Sequence, residues 1–300
     1  MKSKQQSGRL QMNTLKMIRV LLTAVDSGSY TRAGEILGYT QSNITQMMRA
    51  FEDELGIPLL VKTKKGVEPT NEAKLLLPSM RAMLSQEEKF LQEADEIRGI
   101  YRGYIRIGSY VSTSSTWLPK VIGHYQRNYP EVEFNIVESG QEDMLRGLLS
   151  GSLDIALMSR PDHNEVDFIP VLEDPMVVVF PAGHDLSGFD YVPVSELQKY
   201  PLIMTYPEYD TDANKVLQDS GLADDVRYFF RDDFAVLSMV QNGLGISILP
   251  ELSVERFPGQ YDYRMLDPEA YRTLGIGLRS QKEAGPLARS VIDYIRRKIK

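Results

Sequence analysis

Three short amphipathic helices follow one another near the start of this sequence, and a glycine ends each of them. Apolar residues recur at helical spacing in the first: Leu15, Ile18, Leu22 and Val25. The closing glycines stand where left-handed C-caps are expected: Gly28, Gly38 and Gly56. Thr31 is the expected N-cap of the second helix, and the third opens at Thr40 or Gln41. Two helices joined by a tight glycine turn and resting on a third predict a helix-turn-helix unit.

The third helix carries a polar face opposite its apolar one. The polar side chains recur at i, i+3, i+4 and i+7: Ser42, Thr45, Gln46 and Arg49. Arginine suits guanine, glutamine suits adenine, and hydroxyls adapt to several base edges. No carboxylate lies between Glu35 and Glu52, so nothing between them repels phosphate. A solvated polar face is the alternative, but we favour contact with double-stranded DNA, with Thr31, Arg32 and Gln41 as further contacts.

Two short strands around a basic turn are expected next, over residues 56–69. We call this hairpin the wing. Three lysines crowd its turn: Lys62, Lys64 and Lys65. A solvated loop tip would explain them equally well in isolation. Beside a recognition helix we expect them to contact phosphates, each adding to the salt dependence of binding.

The net charge of −7 hides an asymmetry that supports this assignment. Residues 1–65 hold ten Lys or Arg and five Asp or Glu, a net +5, so the remaining residues carry −12. A basic head on an acidic body is typical of a DNA-binding module joined to a domain that avoids phosphate. The absence of cysteine excludes disulfides and suits a cytoplasmic protein. We see neither a secretory signal nor an apolar run long enough to cross a membrane.

Several segments of the head together resemble the LysR-type family of bacterial transcription regulators. The segments are Ala24-Val25-Asp26-Ser27-Gly28-Ser29-Tyr30-Thr31-Arg32-Ala33, Thr40-Gln41-Ser42-Asn43-Ile44-Thr45, Leu55-Gly56-Ile57-Pro58-Leu59-Leu60 and Pro69-Thr70-Asn71-Glu72-Ala73. Gly34, Asn43, Lys62 and Glu68 depart from the family pattern, which leaves the operator sequence unpredictable. The resemblance implies an N-terminal winged helix-turn-helix.

A long helix is predicted over residues 71–98, with Thr70 as its N-cap. Apolar side chains follow a heptad rhythm, interrupted by Glu87: Leu76, Met80, Met83, Phe90, Ala94 and Ile97. Pro78 should kink the helix or delay its regular part. A helix packed on its own domain is the alternative to a subunit interface. We expect self-association into a dimer or tetramer, as the resemblance also implies, because twofold symmetry places two recognition helices on successive turns of DNA.

Strand and helix patterns alternate after residue 99. The order βαβαβ over residues 104–159 predicts a parallel sheet, and a second series starts at Met176. We expect an α/β, two-lobed effector domain like a periplasmic binding protein, with ligand in the cleft. The family resemblance continues in Gly151-Ser152-Leu153-Asp154-Ile155-Ala156 and in residues 240–250.

These patterns divide the chain into four expected regions. They are a tail over 1–14, the winged helix-turn-helix over 15–70, the linker helix over 71–98 and the effector domain over 99–300. Within the effector domain, lobe I is expected over about 103–165 and 266–300, and lobe II over about 166–265.

The effector site is expected around the hydroxyl-rich loop of residues 110–116, which leaves a strand and enters a helix. Helix N-termini attract anions, which suggests a carboxylate or another small anion, although simple N-capping explains the hydroxyls almost as well. LysR-type proteins commonly place their effector here. The expected contacts are Tyr110, Ser112, Thr113, Ser114, Ser159, Tyr209, Thr211 and Asp233. Asp232 and Asp233 would disfavour an anion locally.

A catalytic α/β protein is the main competing hypothesis. The three histidines are scattered, and no nucleophile elbow, Walker motif or dinucleotide fingerprint occurs. We therefore predict no enzyme activity, no metal and no cofactor. A DNA-architectural protein without a ligand is a third class, and the large body argues against it. RNA polymerase is an expected partner if the protein activates transcription.

Overall fold

The computed structural model describes residues 14–64, 66–98, 102–209 and 211–299. The chain divides into two compact units, Met1–Leu91 and Gln92–Lys300. The division falls inside a helix, so that helix supplies residues to both units.

The first unit holds three helices, a two-stranded hairpin and most of a long fourth helix. They are α1 (Thr14–Ser27), α2 (Tyr30–Leu37), α3 (Gln41–Leu55), β1 (Leu60–Thr63), β2 (Gly66–Pro69) and α4 (Asn71–Ile97). The apolar faces predicted for α1 and α3 meet in one core, which contains Ile18, Leu22, Ile44 and Met48. The expected helix-turn-helix and wing are therefore present.

The α2 helix and its N-cap both lie two residues earlier than expected. Ser29, in extended conformation, is the N-cap, and its hydroxyl accepts a hydrogen bond from the Arg32 N–H. Thr31 lies inside the first turn and is exposed, which corrects the predicted capping role. The α3 helix begins at Gln41, one of its two expected starts, and Thr40 is its N-cap, accepting from the Asn43 N–H at 3.2 Å.

The wing lies directly on the turn between α1 and α2. The backbone N–H of Val67 donates to the carbonyl of Gly28 at 2.8 Å. Gly66 has a φ of +132°, and a side chain there would place its Cβ 2.2 Å from the Gly28 oxygen. Only glycine satisfies both conditions, so residue 66 fixes the approach of the wing to the helices.

The apolar residues of α4 are partly buried in the first unit and partly exposed to solvent. Met80 is buried in the core of the first unit, together with Leu84, and helical structure continues through Pro78. Arg81 pairs with Asp26 of α1, and Arg19 of α1 pairs with Glu87 at 2.8 Å. Leu76 and Leu77 are half-buried against the same core, whereas five other large apolar side chains are exposed: Leu75, Met83, Phe90, Leu91 and Ile97. Part of the seam therefore packs on its own domain, and part is open to solvent.

The second unit contains ten strands and seven complete helices within the described ranges. Its strands are β3 (Gly103–Ser109), β4 (Val132–Glu138), β5 (Ile155–Ser159), β6 (Asp167–Pro181), β7 (Tyr191–Pro193), β8 (Leu202–Thr205), β9 (Val226–Phe230), β10 (Ser247–Pro250), β11 (Tyr261–Asp267) and β12 (Tyr271–Leu278). Its helices are α5 (Val111–Thr116), α6 (Leu118–Asn128), α7 (Gln141–Ser150), α8 (Thr211–Asp219), α9 (Asp233–Gln241), α10 (Glu251–Arg256) and α11 (Pro286–Lys298).

The strands form a first lobe in the order β4-β3-β5-β12-β6 and a second lobe around β6, β10, β11 and β7. The β3 strand is parallel to β4 and β5, as the βαβαβ pattern predicts. The β8 and β9 strands pair in parallel, and Leu202 of β8 bridges to Ile246.

One strand belongs to both lobes. Residues 167–175 of β6 pair with β12, whereas residues 176–181 pair with β10 and β11. The chain returns to the first lobe between β11 and β12. We therefore propose a lobe boundary near Pro175 instead of the expected position after residue 165, and a return near residue 270.

Candidate DNA-contacting face and effector cavity

The polar face of α3 is open to solvent. Gln41, Ser42, Gln46 and Arg49 are exposed, and Thr45 is half-buried. The Thr45 hydroxyl donates to the Gln41 carbonyl at 3.0 Å, so it keeps only acceptor capacity toward a base. Thr31 and Arg32 are also exposed, on the neighbouring α2 helix.

The wing presents Lys62 and Lys64 to solvent, on β1 and immediately after it. Lys65 lies outside the described residues. Glu68 of β2 is the partner of Val61 across the hairpin, and its Oε1 accepts from the Thr63 hydroxyl at 3.1 Å. That carboxylate is the feature of this wing that opposes phosphate binding.

A carboxylate of the recognition helix holds the base of the wing. Oε1 of Glu52 accepts hydrogen bonds from the backbone N–H groups of Leu59, at 2.7 Å, and Leu60, at 3.1 Å. The sequence does not predict this contact, because nothing in it marks Glu52 as different from the acidic residues that follow it.

Tyr30 lies close to the same carboxylate. Burial raises the pKa of the Tyr30 phenol, and the charge of Glu52 raises it further while Arg49 lowers it. The phenol therefore stays protonated at neutral pH. It adds no negative charge beside the polar face of α3.

A cavity of about 250 Å³ lies between the lobes of the second unit. Its lining comes from both lobes: Tyr110, Val111, Ser112, Glu138, Ser139, Thr205, Tyr209, Arg231, Asp232 and Asp233. Many of these residues end or directly follow the parallel strands β3, β4, β8 and β9. The crevice outside the carboxyl ends of parallel strands is the usual ligand site in α/β folds.

Four of the eight residues expected around the effector line this cavity: Tyr110, Ser112, Tyr209 and Asp233. The other four do not line it. Thr113 bonds Ser109 and the Tyr110 carbonyl, and the Ser159 hydroxyl donates to Asp212 at 2.5 Å. Ser114 faces a separate groove along α6, and Thr211 starts α8.

The hydroxyl cluster of the loop is largely used inside its own helix. Ser115 and Thr116 both donate to the Ser112 carbonyl, at 3.0 and 2.6 Å. Of the five serines and threonines in this loop, only Ser112 lines the cavity, and α5 is just six residues long. The local argument for an anion at this helix is therefore weaker than the sequence suggests.

The cavity wall carries more negative than positive charge. Among the described lining residues, Glu138, Asp232 and Asp233 are acidic and Arg231 is the basic one. Asp233 accepts hydrogen bonds from Thr205 at 3.0 Å and Ser253 at 2.6 Å, so it also holds α9 and α10 together. Asp232 caps α9 through the Ala235 N–H.

Sequence reasoning missed Glu138, Ser139, Thr205 and Arg231. Their shared signal is position at or just beyond the end of a strand, but the pairing of those strands had to be known first. Within the described residues no group of three or more His, Cys, Asp or Glu is placed to hold a metal ion, and no helix could cross a membrane.

Comparison with known families decides the identity of both units. Residues 15–74 match the model of bacterial regulatory helix-turn-helix proteins of the lysR family, and residues 98–300 match the LysR substrate binding domain. The chain belongs to the LysR family. It is a LysR-type DNA-binding transcriptional regulator with a C-terminal effector-binding domain, and the family consists of regulators, not enzymes.

Relatives and solved structures agree with this assignment. The HTH-type regulator YvbU of Bacillus subtilis is 27% identical over 283 residues, covering 93% of this chain and 97% of its own. GltR of the same organism is 29% identical over 245 residues, 79% of each chain. A full-length OxyR variant from Pseudomonas aeruginosa has a TM-score of 0.74 at 21% identity, covering 95% of this chain and 94% of its own. CbnR complexed with its target DNA has a TM-score of 0.64 at 16% identity, covering 94% and 99%.

Proposed function

We propose that this LysR regulator binds its operator through the exposed face of α3 and the wing, and that a small-molecule effector occupies the cavity between the lobes. The observation that carries the effector proposal is the cavity itself, which both lobes line with polar side chains. Ligand binding there would act on the relative position of the lobes.

The expected DNA contacts remain proposals for individual side chains. Gln46 and Arg49 are exposed and long enough to reach base edges, and Lys62, Lys64 and Lys65 are proposed phosphate contacts. Thr31, Arg32, Gln41, Ser42 and Thr45 complete the proposed surface. Selection of bound duplexes from a random pool tests it, and failure to enrich any sequence would contradict sequence-specific binding.

The charge of the cavity wall favours an effector with an amino group over the simple carboxylate expected from the loop. Glu138 and Asp232 would attract an ammonium, and Arg231 would take the carboxylate of a zwitterion. Three probes that share one skeleton separate these classes: phenethylamine, phenylalanine and 3-phenylpropanoate.

The test measures thermal stabilisation of the full-length protein by each probe, since a ligand at a hundred times its Kd adds about 2.7 kcal/mol. The two amines should stabilise the wild type more than the acid does. Of the two amines, Arg231→Ala should lower the thermal stabilisation by phenylalanine and not that by phenethylamine. Arg227 is an exposed neighbour outside the cavity wall, so Arg227→Ala should leave the stabilisation by both amines unchanged. Stabilisation by the acid alone would restore the original anion hypothesis.

Self-association through α4 is the proposed route to the dimer or tetramer. The exposed side chains of Leu75, Met83 and Phe90 leave an apolar strip on this helix, and burial in a second copy would remove it from water. Because the protein binds DNA, we propose that it acts in the cytoplasm. RNA polymerase is a proposed partner if the protein is an activator. Native mass spectrometry of gently purified protein reports subunit number and any retained effector together.

A further inference from the structure

A buried ion pair lies where the chain passes between the two lobes. Arg272 of β12 and Asp174 of β6 are direct cross-strand partners, 5% and 2% exposed. Nε of Arg272 donates to Oδ2 of Asp174 at 2.9 Å, and Nη2 lies 2.7 Å from the same oxygen. These are the two strands through which the chain enters and leaves the second lobe, so the pair lies on the first-lobe side of the hinge, directly beside it.

Each member of the pair also contacts a residue outside the two strands. Arg272 contacts the first lobe, and Asp174 contacts α10 of the second lobe. Nη2 of Arg272 donates to the Ser112 hydroxyl at 3.2 Å, and its guanidinium lies 5.6 Å from the centre of the Tyr110 ring. Ser112 and Tyr110 both line the cavity from the first lobe. Oδ1 of Asp174 accepts from the Leu252 N–H at 3.0 Å, at the start of α10 in the second lobe.

Stability alone does not account for this arrangement. Two charges this deeply buried lose their hydration, and well-packed apolar residues of similar volume are often as stabilising. The charge of Asp174 also disfavours the ionised form of Glu251 on α10. Burial raises the pKa of Glu251, and Glu255 and Asp174 raise it further.

We propose that Arg272 and Asp174 are a positioning pair that sets the relative position of the lobes and connects it to the cavity through Ser112. A ligand that takes the Ser112 hydroxyl withdraws an acceptor from Arg272. The guanidinium then readjusts against Asp174, and α10 follows through the Leu252 N–H. The link to an effector rests on the proposed function of the cavity, whereas the positioning role can be measured without any ligand.

The test measures the distance between the lobes by pulsed electron paramagnetic resonance on the full-length protein. The chain has no cysteine, so Asp190→Cys and Lys282→Cys, both at exposed positions, give one spin label on each lobe. Diluting labelled with unlabelled protein removes distances between subunits. The variant carrying Arg272→Met and Asp174→Asn neutralises both charges and keeps an acceptor for Leu252.

We expect this variant to shift or broaden the inter-lobe distance by more than about 2 Å, the scale of genuine domain rearrangement. Ser112→Ala should shift it in the same direction and add nothing in the neutralised background, because coupled residues are not additive. Arg272→Lys keeps the charge but loses the planar fork, so it should reproduce the effect of Ser112→Ala even if the double variant fails to fold.

A second, less buried arginine–aspartate pair provides the matched control. Arg106 and Asp154 pair at 2.7 Å within the first lobe, away from the crossing strands. Arg106→Met with Asp154→Asn should lower the melting temperature and leave the distance unchanged. An unchanged distance in both Ser112→Ala and Arg272→Lys, or an equal shift in the control, would overturn the proposal. Because the measurement uses no ligand, that result would not contradict the proposal that an effector binds in the cavity.

Discussion

Oε1 of Glu52, on the recognition helix, lies 2.7 Å from the backbone nitrogen of Leu59, the residue that leads into the wing. The same oxygen also accepts from Leu60, so one carboxylate satisfies two backbone N–H groups at the base of the hairpin. At the opposite end of the wing, Val67 bonds the carbonyl of Gly28. The wing is therefore hydrogen-bonded at its base to α3 and near its tip to the turn between α1 and α2.

Replacing Glu52 with alanine should free the wing from α3. Two partly buried N–H groups lose their acceptor, at a cost of about 1–3 kcal/mol. Amide exchange at Leu59 and Leu60 should accelerate, as hydrogen-exchange mass spectrometry would show. Glu52→Gln retains an acceptor oxygen and should exchange more slowly than the alanine variant, and Asp53→Ala, exposed on the same helix, should match wild type.

Arg49→Ala should weaken binding to the selected operator by about 1–3 kcal/mol, because a bidentate base contact contributes that much discrimination. Competition with duplexes altered at one base pair each should show relaxed preference at a single position. Arg296→Ala removes an exposed arginine from α11 and should leave affinity unchanged. Uniform weakening across all duplexes would reassign Arg49 to a phosphate.

Lys64→Ala should change the salt dependence instead of the sequence preference. Each neutralised phosphate contributes about 0.9 to the slope of log K against log salt, so the slope should fall by about one. Fluorescence anisotropy at several salt concentrations measures it, with Lys282→Ala of the second unit as the control. A constant slope would mean that Lys64 does not touch the backbone of the DNA.

Phe90→Glu should dissociate the oligomer. Phe90 is 66% exposed on α4, and burying such a ring contributes about 1.5–3 kcal/mol, counted twice in a twofold dimer. We expect the dimer Kd to rise roughly a hundredfold or more, as sedimentation would show. Phe234 of the effector domain is 63% exposed, so Phe234→Glu is a matched control. Its oligomer should sediment with the same mass as that of wild type.

Glu251→Gln should stabilise the effector domain at neutral pH and leave it unchanged in acid. Burial, with Glu255 and Asp174, raises the pKa of the Glu251 carboxyl, so its ionised form is the unfavourable one in the folded state. The penalty is absent while the group is protonated and grows as pH rises through its ordinary range. Melting temperatures measured across that pH range should be equal for the two proteins in acid, and the variant's should exceed that of wild type increasingly as pH rises.

The helices of the first unit follow from the sequence because amphipathic periodicity and glycine stops are local signals. The first half of β6 does not, since Pro170 and Pro175 remove backbone donors, and Glu173 and Asp174 interrupt its apolar pattern. The sequence therefore predicts no strand before Met176, and for the same reason the boundary expected after residue 165 differs from the one that we propose near Pro175.

The cavity shows a similar division between local and long-range information. Tyr110 and Ser112 stand out in a hydroxyl-rich loop, although most of those hydroxyls bond their own helix. Glu138, Thr205 and Arg231 come together only through strand pairing. The pair of Arg272 with Asp174 joins residues 98 positions apart, beyond the reach of any pattern in the chain.

The central position of β12 has a consequence for biosynthesis. This strand inserts between β5 and β6, yet its last residue is Leu278. At ordinary rates of translation, roughly ten to thirty seconds separate the emergence of β3 from that of β12. The DNA-binding head can fold on the ribosome long before the first lobe is complete. A chain that ends before β12 would therefore carry the helices of the head without the central strand of the first lobe.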